Sequence, residues 1–238
     1  PSASSAASDV YKRQVINRLA KNGQRYLYYT VTESIKRNLP VELALLPFIE
    51  SQFDPYAQSS TGASGIWQFI LSTAREQKLK KNWWYDGRRD IVASTDAAFN
   101  YLTKLHNKYD DWLLAIAAYN AGPNRILKEI KKNKDKGLPT DFWSLKLPRE
   151  TKAYVPKLLA LLEVIKSPEK FSVVIPNLPN RPYFQLVTLP SQVDLMQVAN
   201  ISGLKLEVIY ELNPGFNQWA TDPNGPFHIL LPVGIADR

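Results

Sequence analysis

Apolar positions recur at spacings of three and four through most of the first 170 residues, the pattern of helices that bury one face. Tyr28, Val31, Ile35 and Leu39 share such a face, and Asn38-Leu39-Pro40 breaks it. The next run, VELALLPFIES, is so apolar that it predicts burial, while Pro47 inside it predicts a bend or an end to regular hydrogen bonding. Further on, Ala98, Tyr101, Leu102, Leu105 and Tyr109 fall on one helical face. Asp110-Asp111 then offers a cap to WLLAIAAYN, and Asn120-Ala121-Gly122-Pro123 stops that helix. RILKEIKKNKDKG predicts an amphipathic helix with a solvated lysine-rich end. In ETKAYVPKLLALLEVIK, Tyr154, Leu158, Leu161, Leu162 and Ile165 make one stripe.

The pattern changes after Ser167-Pro168. Pro176, Pro179 and Pro182 mark a stiff extended connector. Beyond it FQLVT and HILLPV read as strands flanking two short helices, VDLMQVANISG and LEVIYELNPG. Residues 1–14 are small and polar, with neither apolar periodicity nor the apolar core of a signal peptide, and read as a disordered or appended tail. The expected organisation is a mainly helical domain over 15–170, a proline-rich linker over 171–182 and a small α+β module over 183–238.

Composition narrows the chemistry. With 45% hydrophobic and 22% charged residues the 238-residue chain has the make-up of a folded globular protein. No apolar run approaches the roughly 20 residues of a membrane-spanning helix. The absence of cysteine excludes disulfides, thiolate metal sites and cysteine nucleophiles. Two histidines, His106 and His228, lie too far apart in sequence to suggest a metal site. A net charge of +8 would suit nucleic acid, an anionic membrane or cell-wall polymer, and the 11% aromatic content would suit stacking on sugars or bases. Neither chooses among them. No phosphate loop, dinucleotide turn or zinc spacing occurs.

The densest chemical signal is ESQFDPYAQSSTGASGIWQF, residues 50–69. A carboxylate ending a buried helix would have its charged form disfavoured and its pKa raised, and a carboxylic acid kept neutral can protonate a glycosidic oxygen. The alternative is a glutamate that caps or pairs in a helical core. Gly62 and Gly65 allow left-handed backbone or close approach to a ligand. Asp86, Arg88, Arg89 and Asp90 read as a surface or loop ion-pair network, and neither histidine shows a partner that argues for catalysis.

The runs ES-x-F-x-P (50–55), TGASGIWQ (61–68), AYNAGP (118–123) and ETKAYV (150–155), in this order, resemble the family 1 lytic transglycosylases with a lysozyme-like domain. WYDGRRD (84–90), DFWSL (141–145) and YVPK (154–157) fit the same family. The resemblance covers about residues 25–170 and implies a goose-type lysozyme-like fold. It places the catalytic acid at Glu50, with Ser51 and Tyr154 in support. In the family the tyrosine at Tyr154 hydrogen-bonds the catalytic carboxylate; a place on the apolar stripe leaves a purely structural role open. Ser59, Gly65, Trp67, Gln68, Tyr119 and Asn120 fall on substrate-binding positions. Trp67 stands where the family commonly has methionine, and its indole is expected to pack on a sugar unless it lies in the core. Glu150 is assigned to helix-start electrostatics rather than to catalysis.

The resemblance implies cleavage of the MurNAc–GlcNAc bond of peptidoglycan with a 1,6-anhydromuramoyl product, no metal and no cofactor. It implies a monomer on glycan strands, without nucleic acid, in the periplasm or at the periplasmic face of the outer membrane. A muramidase-type hydrolase and a non-catalytic peptidoglycan-binding protein are the alternatives. The C-terminal module is similar to a LysM domain, but Ser191-Gln192-Val193-Asp194 stands where a Gly-Asp pair usually opens the first helix. A degenerate module or a packing appendage are therefore both open.

Overall fold

The computed structural model describes residues 14–235, so nearly all of the expected N-terminal tail lies outside the described residues. The chain forms two compact units, one from residues up to Ala97 together with Val174 onward, the other from Ala98 to Val173.

The first unit opens with helix α1 over residues 14–23, followed by α2 (Leu27–Lys36). The face of α2 that packs is not the apolar one. Thr30 and Ser34 are fully buried, whereas Ile35 is 61% exposed. The reason is local: the Thr30 and Ser34 hydroxyls donate to the carbonyls of Leu27 and Val31, so their polarity is satisfied inside the helix. Small side chains then let the 3-10 turn Val41–Leu45 pack against this face. Pro47 neither kinks nor ends a long helix. It sits in the first turn of a new one, α3 (Leu46–Ser51), where its missing N–H costs nothing. Helix α4 (Leu71–Glu76) follows.

The C-terminal residues of this unit form antiparallel strands β1 (Phe184–Thr188) and β2 (His228–Pro232), paired from Phe184 with Pro232 to Thr188 with His228. Two helices, α9 (Leu195–Ser202) and α10 (Leu206–Leu212), lie between them in sequence. Their common core is Leu195, Ala199, Ile209, Phe216, Ile229 and Leu231, and it includes Tyr85 from the N-terminal part of the chain. The module is thus joined to the segment 80–90. Tyr85 pairs with Phe216, and the Asp86 N–H donates to the Gly215 carbonyl at 2.8 Å. A Cβ at Gly215 would lie 2.9 Å from the Tyr85 ring, so glycine is what permits this approach. The Lys80 ammonium meets the buried Asp222 carboxylate at 2.8 Å, and the Tyr56 hydroxyl donates to the Tyr210 carbonyl.

Of the surface or loop ion-pair network expected at Asp86–Asp90, the surface half is corrected and the loop half holds: Asp86, Arg88 and Asp90 are buried, and Arg88 pairs with Asp86 at 2.7 Å. The His228 Nε2 lies 2.9 Å from Asp90 Oδ2, a contact that ties β2 to the segment 80–90.

Helix α5 (Ile91–Tyr109) begins in the first unit and ends in the second, where Ala98, Tyr101, Leu102 and Leu105 are buried as their spacing predicts. Helix α6 (Trp112–Ala121) is capped by Asp111, whose carboxylate accepts from the Leu113 and Leu114 N–H groups. Gly122, at φ +86°, ends it, and Pro123 starts the lysine-rich α7 (Pro123–Lys134). Helix α8 (Arg149–Lys166) buries Thr151, Tyr154, Val155, Leu158 and Leu161 and packs against α6.

Candidate active site

Glu50 occupies the last turn of α3, whose Leu46, Pro47 and Phe48 are buried while Glu50 itself is half-buried. The helix ends abruptly. Gln52 and Phe53 both take left-handed backbone, at φ 56° and 59°. The Gln52 N–H donates to Phe48 O and the Phe53 N–H to Pro47 O, consuming carbonyls that a helix end would leave unpaired. No glycine provides this turn. It is held instead by Arg18, which donates to the Gln52 side-chain oxygen, by Asn22, which donates to the Gln52 carbonyl, and by the buried Phe53 ring. The turn fixes where the Glu50 backbone stops relative to the loop that follows.

The Ser51 hydroxyl lies 3.0 Å from both the Pro47 and Ile66 carbonyls, tying the helix end to the loop 57–69. That loop is internally cross-braced. Ser59 Oγ is 2.9 Å from Thr61 Oγ1 and accepts from the Ala63 N–H, so Ser59 closes the loop's exposed tip. Gln68, at φ 49°, donates through Nε2 to the Ala57 and Gly65 carbonyls. Gly65, at φ +83°, is buried, and a Cβ there would stand 1.9 Å from the Arg88 carbonyl oxygen. Its glycine is required by the protein's own backbone.

Trp67 departs most from expectation. Its ring is completely buried and its Nε1–H donates to Thr95 Oγ1 at 2.9 Å, so the indole offers no face for a sugar to stack on.

Arg88 organises this loop, a role beyond the ion-pair network in which the sequence places it. Arg88, 4% exposed, donates through Nη1 to the Gly62 and Phe69 carbonyls, at the two sides of the loop, while Nε and Nη2 grip the Asp86 carboxylate. Burial pushes the Asp86 pKa up, but the Arg88 hydrogen bonds and charge outweigh it, and the group is held below the usual carboxylate range. The signal was the Asp-x-Arg spacing in WYDGRRD, which a surface reading discounts because the run is so polar.

The second unit carries the other expected residues. Tyr119 and Asn120 end α6. Asn120 Oδ1 accepts from the Thr151 hydroxyl on α8 at 2.9 Å, and Tyr119 lies 5.8 Å, centroid to centroid, from Tyr101. Tyr154, one turn beyond Thr151 on α8, is 5% exposed. Glu150 sits in the first turn of α8, where a negative charge complements the helix dipole. Among the described residues no group of three or more His, Cys, Asp or Glu side chains is placed to hold a metal ion, and no helix is long and apolar enough to cross a membrane.

A carboxylate at a helix end, a braced small-residue loop after it, and a mostly helical chain ending in a small two-stranded α+β module are the features that the lysozyme-like resemblance led one to expect. Residues 28–141 match the transglycosylase SLT domain, and residues 183–238 match the LysM-like domain of lytic transglycosylase MltD. The chain belongs to the family 1 lytic transglycosylases, close to its D branch. It is 44% identical to membrane-bound lytic murein transglycosylase D of Escherichia coli (strain K12), over 90% of this chain and 47% of that protein. It thus spans about half the length of that relative. A protein named for tributyltin chloride resistance in Alteromonas sp. (strain M-1) is 41% identical over 73% of this chain and 84% of its own. Among solved structures, an inactive mutant of lytic transglycosylase Slt from Pseudomonas aeruginosa aligns at a TM-score of 0.46 and 26% identity, over 61% of this chain and 24% of that chain.

Proposed function

We propose that this chain is a peptidoglycan lytic transglycosylase with Glu50 as its single acid–base group. The observation that carries this is the placement of Glu50: a half-buried carboxylate at the end of a short buried helix, backed by two left-handed residues and a loop locked by Arg88. In the proposed reaction the Glu50 carboxylic acid gives its proton to the oxygen linking MurNAc to GlcNAc, and the C1–O bond breaks. The C6 hydroxyl oxygen of the same MurNAc attacks C1 as its proton passes to the Glu50 carboxylate. The acid is regenerated, no water is consumed, and a 1,6-anhydro ring is left. An internal nucleophile has a high effective concentration, which relieves the site of a second carboxylate.

That economy is what separates this reading from hydrolysis, where glycosidases of the ordinary kind use two carboxylates. Asp54, the nearest other acid in sequence, is exposed and its Oδ1 accepts from the Tyr56 N–H at 2.9 Å, so it is employed in shaping the turn. Gln68 and Ser59 serve in this proposal by holding the loop. Tyr119, Asn120 and Tyr154 retain the roles that the family resemblance gives them. The proposed setting is the periplasm or the periplasmic face of the outer membrane, with the chain acting as a monomer.

Purified sacculi digested with the wild-type chain should release products lighter by one water than hydrolysis products, read by mass spectrometry. Glu50→Gln should lower release on the order of a hundred- to ten-thousand-fold with the melting temperature nearly unchanged. Hydrated products, or turnover retained by the variant, would overturn the proposal.

A further inference from the structure

Three tryptophans stand together on the first unit, and the catalytic argument uses none of them. Trp83 and Trp84 come from the segment before the Asp86–Arg88 pair, and Trp219 from the connection between α10 and β2. Their rings meet edge to face, at centroid distances of 4.7 Å for Trp83–Trp84, 5.9 Å for Trp83–Trp219 and 5.5 Å for Trp84–Trp219. Trp83 is 59% exposed and Trp219 is 58% exposed. Trp84 is half-buried and packs against the core of the C-terminal module, so it backs the two exposed rings. Indoles left so far in water return little to the fold, and an exposed aromatic patch marks an interaction site.

The backbone beneath the rings is fixed. The Trp83 and Trp84 carbonyls accept from the Gln218 side chain and the Asn217 N–H, both in the segment that carries Trp219, and the Trp219 carbonyl accepts from the Leu195 N–H. Rings presented from an ordered backbone lose little freedom when a ligand arrives, which favours recognition. The patch exists only because the C-terminal module is joined to the segment 80–90, so neither part makes it alone.

We propose that Trp83, Trp84 and Trp219 form a composite stacking platform that holds a peptidoglycan glycan strand away from the cleaved bond. The inference rests on the transglycosylase reading for the identity of the strand. The apolar C–H face of a pyranose ring matches an exposed indole face in size and polarity. A glycan also suits the rim, where the exposed Lys81 would lose its hydration on insertion into lipid, and where the Asn82 and Asn217 amides are already held by Asp222, Arg89 and the Asn82 carbonyl. The platform is continuous with the loop that follows Glu50. Arg89 hydrogen-bonds the Asn217 side chain, and its guanidinium lies 6.0 Å from the centroid of the half-exposed Tyr56 ring.

The test is co-sedimentation with purified sacculi, using the chain with Glu50→Gln so that the wall is not consumed. Adding Trp83→Ala and Trp219→Ala should weaken pelleting roughly tenfold or more. Because the double change could unfold the module, Trp219→Ala alone is measured beside it, with circular dichroism on both. Intrinsic fluorescence of the Glu50→Gln chain should shift on adding soluble glycan fragments, and the shift should shrink in Trp219→Ala. Unchanged pelleting by folded variants overturns the platform. So does loss of binding to phosphatidylglycerol vesicles with sacculus binding intact, which would assign the patch to a membrane. A shift from dimer to monomer in sedimentation, again with sacculus binding intact, would assign it to self-association and overturn it equally. Product analysis of the wild-type chain is scored separately, so a failed platform and a failed transglycosylase reading give different results.

Discussion

At the scale of single residues, the loop after Glu50 is governed by close approach rather than by side-chain chemistry. Gly65 and the Arg88 carbonyl are packed so tightly that any Cβ must displace backbone, and φ +83° adds strain for an L residue. Gly65→Ala should therefore cost on the order of 3–5 kcal/mol in urea unfolding, well above a typical surface change. A cost under about 1 kcal/mol would mean that the loop relaxes freely and does not hold a fixed shape beside Glu50. The glycine was legible in the sequence, but its reason was not, because the atom it accommodates lies 23 positions away. Trp67 was misjudged for a related cause. A tryptophan beside a polar glutamine in a loop looks available to a ligand, and only the distant Thr95 hydroxyl shows that its N–H is satisfied in the interior.

At the scale of elements, periodicity served well wherever burial is set by apolar area. The faces of α5 and α8 emerge as their spacing predicts, and Asp111 caps α6. It failed on α2, where hydroxyls that bond within the helix made Thr30 and Ser34 the buried pair and left Ile35 in water. Hydropathy alone cannot detect a polar group that is satisfied by its own backbone. The departure of the C-terminal module from the LysM pattern also has a local resolution. Asp194 keeps the capping function that a Gly-Asp start would supply: its carboxylate accepts from the Met196 N–H at 2.7 Å and the Gln197 N–H at 3.1 Å. Asp194→Ala should lower stability by about 1 kcal/mol. Hydrogen exchange should show the loss concentrated in α9, and a uniform loss across the chain would argue that the cap is not its source.

At the scale of the molecule, the first unit joins distant parts of the sequence through a few buried polar pairs, and one of them contains an imidazole. Burial pulls the His228 imidazole toward a lower pKa, but its hydrogen bond to Asp90 and the charge of that carboxylate outweigh burial, so the pKa is raised. Burial pushes Asp90 the other way, toward a higher pKa. There the hydrogen bond and charge of His228, with the Ala93 N–H, prevail and hold Asp90 below its ordinary value. The signs follow from linkage. The raised imidazole stabilises the fold fully below about pH 6.5, and that contribution disappears as pH rises through its higher folded value. The lowered carboxyl contributes above about pH 4 and loses its contribution as acid brings the pH down through its lower folded value. Urea midpoints followed by tryptophan fluorescence should therefore fall as the pH is raised above about 6.5. His228→Gln removes this imidazole and should flatten the slope. An equal slope in the variant would place the titration elsewhere and remove the pair as the junction's pH-sensitive element. A flattened slope with a lower midpoint at the acid end would show that Asp90 and His228 hold segments 138 positions apart chiefly while the imidazole carries its proton.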